Sequence, residues 1–180
     1  MRIIKIVYIL FILFLMESKQ ESSQEQYKFY VLIFNIQSRH NINTIIRSAI
    51  SFGCNNFLVL GKDKKVLNKF LEKEHSPFMN NVKFDYFESY DELKQFLKEN
   101  NIFACGVEIG ANCIPIQEHP FKGNTLFILG NEGAGMNQKQ KDLCDHFVYI
   151  QQYSEKTGSL NVAIAASIIF HHFAIWAGYK

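Results

Sequence analysis

The sequence predicts an α/β domain built on a mainly parallel sheet of six strands. Three observations predict it. Apolar, β-rich runs alternate with segments of helical periodicity from Tyr27 onward. The chain has 180 residues, 48% hydrophobic and 20% charged, which suits one domain with a sizeable core. The loops that follow strands carry the unusual residues, and in such sheets ligands gather at the carboxyl ends of strands.

The elements follow in order. Phe29 to Ile36 is an apolar β-rich run. Asn43 to Phe52 places Ile45, Ile46, Ala49 and Ile50 at helical spacing, and Gly53 closes it as a helix-terminating glycine. Asn56 to Leu60 is a second strand, ended by Gly61. Val66 to Glu72 reads as a short helix. Val82 to Phe87 alternates as a third strand. Ser89 or Asp91 can cap a helix from Asp91 to Lys98, with Leu93, Phe96 and Leu97 on one face. Ile102 to Val107 and Thr125 to Leu129 are the fourth and fifth strands. Asn137 to Cys144 is a polar helix, and His146 to Ile150 is the sixth strand. Ser159 to Tyr179 is a long helix, with Ser159 as a good N-cap. Its residues Ile164, Ile168, Phe170, Phe173, Ile175 and Trp176 are too apolar all round for a solvated helix.

The first 26 residues stand apart. Ile6 to Met16 is an unbroken apolar run of 11 residues behind Arg2 and Lys5. A membrane-spanning helix needs roughly 20. The run has the size of a signal-peptide core, yet Glu17-Ser18-Lys19-Gln20 offers no small-x-small cleavage site. It reads as a leader or anchor, as an extra packed segment, or as a wrongly chosen start codon. The division expected is therefore 1–26, apolar segment and polar linker, and 27–180, the folded domain. A cytoplasmic location is expected, with organellar or membrane targeting if residues 1–16 act as a leader. Arg2 and Lys5 also account for the whole formal net charge of +2, so the body is formally neutral. Any affinity for nucleic acid must come from a local basic surface.

Cys54, Cys105, Cys113 and Cys144 form no C-x-x-C pair and have no His at zinc-finger spacing. They read as structural thiols, with no metal site. His171 and His172 are adjacent and face different directions, which disfavours a metal there too.

Three loops carry residues with chemistry. The first runs from Ser38 to Ala49, between the first strand and the first helix. Asn41 or Asn43 can cap that helix. Arg47 lies one turn after Asn43, and on an apolar helix it must reach a carboxylate, a phosphate or water. The second is Gly130-Asn131-Glu132-Gly133-Ala134-Gly135, directly after the fifth strand. Its glycines let backbone approach a ligand closely. There is no G-x-G-x-x-G and no Lys-Ser/Thr ending, so a dinucleotide or Walker-type site is disfavoured. Glu132 looks buried and needs a donor, for which Arg47 is a candidate. The third ends in Ser159-Leu160-Asn161-Val162. Asn161, read as lying in the first helical turn, is a poor helix former whose side chain is free to meet a ligand or a neighbouring loop.

Taken in this order, the three loops resemble the SpoU (TrmH-like) branch of the SPOUT RNA methyltransferases. The family's first motif, Asn-x-Gly-x-x-x-Arg-x-Ala-x-x-Phe-Gly, is met by Asn41, Arg47, Ala49, Phe52 and Gly53. Its second, a strand running into Gly-Asn-Glu-Gly-x-Gly, is met by Gly130, Asn131, Glu132, Gly133 and Gly135. Its third, Ser-Leu-Asn-Val-x-x-Ala, is met by Ser159 to Val162 and Ala165. The similarity covers about Phe29 to Tyr179. Asn43 stands where the family has glycine, and Gln151-Gln152-Tyr153 lacks the proline common after the sixth strand. The sequence reads as a minimal catalytic domain, expected to lack the separate RNA-binding extension found on some members.

The resemblance implies a six-stranded sheet whose C-terminal segment makes a trefoil knot, a threading that general rules disfavour. It implies a homodimer with the C-terminal helix at or near the interface. It implies S-adenosyl-L-methionine held by Val107 to Gly110, by Leu129 and Gly130, and by Ile150 with Ser159, Leu160 and Asn161. The acceptor it implies is a ribose 2′-hydroxyl of tRNA or rRNA. The catalytic residues carried over are Arg47, acting across the dimer, with Glu132 and Asn41. Arg39, Lys62, Lys64 and Lys65 could hold phosphates or be plain solvated surface. The competing reading is a non-catalytic RNA-binding or scaffold protein on the same knot.

Overall fold

The computed structural model describes residues 26–61, 82–154, 156 and 158–180. The apolar N-terminal run, Val66 to Glu72 and Lys62, Lys64 and Lys65 lie outside them. The element order is β1 (Phe29–Ile33), α1 (Arg39–Ser51), β2 (Asn56–Leu60), β3 (Lys83–Phe87), α2 (Tyr90–Glu99), β4 (Phe103–Val107), β5 (Ile114–Pro115), a 3₁₀ turn (Ile116–Glu118), β6 (Thr125–Leu129), α3 (Gln138–Leu143), β7 (His146–Tyr149) and α4 (Val162–Trp176). The strands form one sheet in the order β3-β2-β1-β6-β4-β7-β5, with every pairing parallel.

Among the described residues the sheet has seven strands where six were expected. The addition, β5, is two residues long and pairs only with β7. Its Pro115 lacks an N–H, so such a segment is confined to a sheet edge and carries no alternating pattern to read.

Alternation along the strands sorts the core into two layers. Phe29, Val31, Phe57, Val59, Phe127, Leu129 and Val148 face α1 and α4. Leu32, Leu58, Leu126 and Ile128 face α2 and α3. Helix α1 contributes Ile42, Ile45, Ile46 and Ala49, while α4 contributes Ala163, Ala166, Ile169, Phe170 and Phe173. The Phe29 ring sits 5.1 Å from Phe170 and 5.3 Å from Phe173, centroid to centroid, and pins β1 to α4. Burying each such ring contributes about 1.5–3 kcal/mol.

Element ends required the most correction. Strand β1 stops at Ile33 because Asn35 adopts a left-handed φ of 62° and turns the chain. Helix α1 begins at Arg39, four residues before the expected start. Ser38, not Asn41 or Asn43, is its N-cap, its hydroxyl accepting the Asn41 N–H at 3.3 Å. The first turn is polar, so the apolar periodicity that begins at Ile42 hid it. Helix α2 is capped by Ser89, one of the two expected candidates. Helix α4 begins at Val162, and its N-cap is Asn161 rather than Ser159. Gly53 is needed after α1: its φ is 91°, and a Cβ there would fall 2.5 Å from the Tyr179 ring.

The four sulfurs are free thiols. Burial pushes Cys54 and Cys144 up to about 12, so both stay protonated and act as packing groups. Among the described residues, no helix is long and apolar enough to cross a membrane.

Candidate functional site

The carboxyl ends of β4, β6 and β7 open onto a cavity of about 610 Å³. This size lies in the ordinary range for small-molecule sites. Val107 and Ile109 form one wall, Leu129 and Gly130 a second, and Tyr149 and Ile150 a third. Ser159, Leu160 and Asn161 close it on the approach to α4. The four central strands are parallel, so the cavity sits where unpaired strand ends and loop N–H groups converge.

Of the expected cofactor-binding residues, Val107, Leu129, Gly130, Ile150, Ser159, Leu160 and Asn161 all line this cavity. Gly110 does not. It lies just past Ile109, in a turn closed by the Cys113 N–H on the Gly110 carbonyl at 3.2 Å. Gly130 is tightly placed: a Cβ there would stand 3.1 Å from the Gly135 carbonyl carbon and 3.2 Å from the Met136 nitrogen.

The glycine-rich loop is a closed turn. Asn131 and Gly135 exchange backbone hydrogen bonds of 2.9 and 3.0 Å. The Asn131 side-chain oxygen accepts the N–H groups of Gly133 and Ala134, at 2.9 and 3.0 Å. Its amide donates to the Asn35 carbonyl at 3.0 Å, which ties the loop to the end of β1.

Glu132 joins the three loops. Its side chain is exposed rather than buried, yet both oxygens are engaged. Oε2 accepts the Gln37 N–H at 3.0 Å. Oε1 accepts the Ser38 N–H at 3.1 Å and the Asn41 amide at 2.8 Å. Desolvation alone would raise this carboxyl, but the Gln37 N–H and the Asn41 amide, with further N–H donors, outweigh it and hold it below its ordinary value. Asn41 Oδ1 in turn accepts the Asn161 amide at 3.2 Å. Asn161 Oδ1 accepts the N–H groups of Ala163 and Ile164, at 2.9 and 3.3 Å. A continuous relay, Glu132–Asn41–Asn161, therefore links segments more than 90 residues apart in sequence.

Arg47 is placed elsewhere. It lies on the exposed face of α1 and is not among the residues that line the cavity. Asn41 also stands behind the lining, in the first turn of α1. Arg39 is exposed at the start of the same helix.

Sequence reasoning missed Gln140 and Asn35. Gln140 is fully buried, and its amide donates to the Leu129 carbonyl at 3.0 Å, behind the cavity. Its oxygen accepts from Asn35 at 3.2 Å and from the Asn137 N–H at 3.1 Å. The pair Asn137…Gln140 is a capping box, and that spacing was legible. The long-range bonds to Leu129 and Asn35 were not.

Comparison with known proteins gives the family. Residues 28–171 match the model of the SpoU rRNA Methylase family, and the chain belongs to that family. A Staphylococcus aureus protein, whose name places it in the TrmH family of tRNA/rRNA methyltransferases, is 22% identical over 153 residues. That match covers 85% of this chain and 61% of the relative, so the chain spans about three fifths of the length of such relatives. Among solved structures, the SpoU methyltransferase AviRb from Streptomyces viridochromogenes superposes with a TM-score of 0.68 at 25% identity, covering 83% of this chain and 60% of that one. The same protein in complex with the cofactor AdoMet gives a TM-score of 0.68 at 22% identity, covering 90% and 65%.

Proposed function

We propose that this chain is an S-adenosylmethionine-dependent RNA methyltransferase that modifies a ribose 2′-hydroxyl of tRNA or rRNA. One observation carries the reading. The second and third of the loops that resemble the family's motifs line one cavity, and the relay Glu132–Asn41–Asn161 ties the first loop to both of them from behind its wall.

The lining suits the ligand. Val107, Leu129, Ile150 and Leu160 give apolar walls for a neutral aromatic base. Among the described lining residues none is Lys, Arg or His, which disfavours a phosphate-bearing nucleotide and tolerates a sulfonium cation. When bound, S-adenosylmethionine supplies a methyl group activated by the positive sulfur. The chain's part is to hold the acceptor hydroxyl in line, which is a large share of such a rate enhancement.

Glu132 and Asn41 act as positioning residues that fix the glycine loop against the β1–α1 turn. Arg47 orients the acceptor hydroxyl and its phosphate from the exposed face of α1. A guanidinium is a donor-only group that keeps its charge, so its natural task is orientation and charge stabilisation. Because Arg47 is outside the cavity lining of its own protomer, the reading has it serve the site of a second copy. The exposed apolar stripe on α4, with Ile164 54% and Ile175 56% exposed, supports a homodimer through that helix. The position of β7 between β4 and β5, with α4 folded back onto α1, is consistent with a knotted C-terminal segment. The proposed location is cytoplasmic, with membrane or organellar contact only through residues 1–16.

The test is incubation of the protein with labelled S-adenosylmethionine and total RNA, followed by nuclease digestion and mapping of 2′-O-methylated nucleosides. Arg47→Ala is expected to abolish transfer while binding of S-adenosylmethionine persists. Full transfer by that variant overturns the role of Arg47. A wild-type protein that binds RNA but transfers no methyl supports the scaffold reading instead.

A further inference from the structure

Among the described residues, two carboxylates line the cavity, Glu108 and Glu132, and they are in different situations. Glu132 has both oxygens occupied by the β1–α1 turn. Glu108 follows β4 directly, and its side chain is 27% exposed. Its Oε1 accepts Lys141 Nζ at 2.8 Å. A carboxylate offers about four acceptor sites, so this one bond leaves Glu108 with capacity to spare. Lys141 stands on α3, outside the described lining, and reaches the carboxylate from behind the wall.

The pair has two physical consequences. First, Lys141 fixes the direction of a side chain that would otherwise sample several rotamers. Second, the ion pair is electrically balanced, so what it attracts best is a neutral hydrogen-bond donor rather than another cation. The carboxylate also lies against the glycine loop: Oε1 is 3.8 Å from where a Cβ on Gly135 would be. It therefore sits beside the apolar slot of Val107, Leu129 and Ile150. A base held in that slot carries its sugar at its edge, and a sugar presents two neighbouring hydroxyl donors. A carboxylate accepting from ribose hydroxyls is the same chemistry that acidic residues perform in dinucleotide sites.

We propose that Glu108 is the ribose-binding residue of this cavity, accepting the 2′- and 3′-hydroxyls of an adenosyl ligand. Lys141 is the positioning residue that holds it. The inference rests on the reading of the cavity as an adenosyl site, and the experiment separates the two.

Calorimetry would compare S-adenosylhomocysteine with its 2′-deoxy counterpart on the full chain, its Glu108→Ala variant and its Lys141→Met and Lys141→Arg variants. Thermal melts would check that each variant folds. For the wild type, loss of one hydroxyl is expected to weaken binding about 10- to 100-fold. In Glu108→Ala the parent ligand weakens by a similar factor, and the deoxy penalty shrinks to within about threefold. Lys141→Met reduces the deoxy penalty, and Lys141→Arg restores it. The same penalty in wild type and Glu108→Ala overturns the assignment of Glu108 alone. A penalty unchanged in Lys141→Met overturns the positioning role. A wild type that binds neither ligand overturns the adenosyl reading itself, and this proposal with it.

Discussion

The Asn41 side-chain amide donates to Glu132 at 2.8 Å, although the two residues are 91 positions apart. This bond joins the first turn of α1 to the glycine loop after β6. It makes the geometry of one loop depend on the other, and the carboxylate gathers two backbone N–H groups at the same point.

Glu132→Gln should weaken the fold in a pH-dependent way. The folded carboxyl is held below its ordinary value of 4.5, so its contribution is present above that pH and is lost as pH falls through the folded value. Urea unfolding at pH 7 and at pH 3 checks this. The wild type should lose stability between the two by more than the variant does. At pH 7 the variant should be weaker by about 1 kcal/mol, the scale of one surface-accessible hydrogen-bond set.

Asn161 has two separable tasks. Asn161→Ala removes the cap of α4 and should cost about 1 kcal/mol. Asn161→Asp keeps the cap, and a negative charge suits a helix N-terminus, but it removes the amide that donates to Asn41. The Asp variant should therefore melt near the wild type while binding S-adenosylmethionine more weakly. Equal stability loss in both variants would show that the cap and the relay are not separable.

Gln140→Leu should be more damaging than its position on a short polar helix suggests. It strands the buried Leu129 carbonyl, removes the capping bond to the Asn137 N–H, and takes away a side chain that is itself fully buried. Each buried group left unpaired costs about 1–3 kcal/mol. Chemical denaturation should report a loss of at least about 2 kcal/mol.

His172 ties α4 to the 3₁₀ turn, its Nδ1 lying 2.9 Å from Nε2 of His119. Burial, with His119 and His171 nearby, holds the His172 imidazole below its ordinary value of 6.5. The unfolded chain thus takes up a proton that the folded chain resists. Stability should fall as pH drops below about 6.5, to which the similarly buried His146 also contributes. His172→Gln should flatten, without abolishing, the decline in melting temperature between pH 7 and pH 5.

Ile164→Glu combined with Ile175→Glu tests the proposed dimer. Both side chains are more than half exposed in the single chain, so a monomer should tolerate the change within about 0.5 kcal/mol. Light scattering should show a dimer for the wild type and a monomer for the variant. A wild-type monomer at all concentrations rejects the interface.

What the sequence determined by itself was the layered α/β plan, most of the strands and the three loops that matter. These follow from local physics. Alternation, 3.6-residue periodicity and the glycines of 130–135 need no distant partner to be read. The helix starts were less legible: Ser38 caps a helix whose first turn is polar, and Ser159 and Asn161, two residues apart, are both residue types that cap helices. The edge strand Ile114–Pro115 exists only through its pairing with β7. The tertiary structure alone decided the partners. It gave Glu132 to Gln37, Ser38 and Asn41, where the sequence had offered Arg47. It set Gln140 behind Leu129, and Lys141 against Glu108. Each of these contacts closes a long loop between polar groups, and in a single sequence a polar side chain does not declare which distant donor or acceptor will satisfy it.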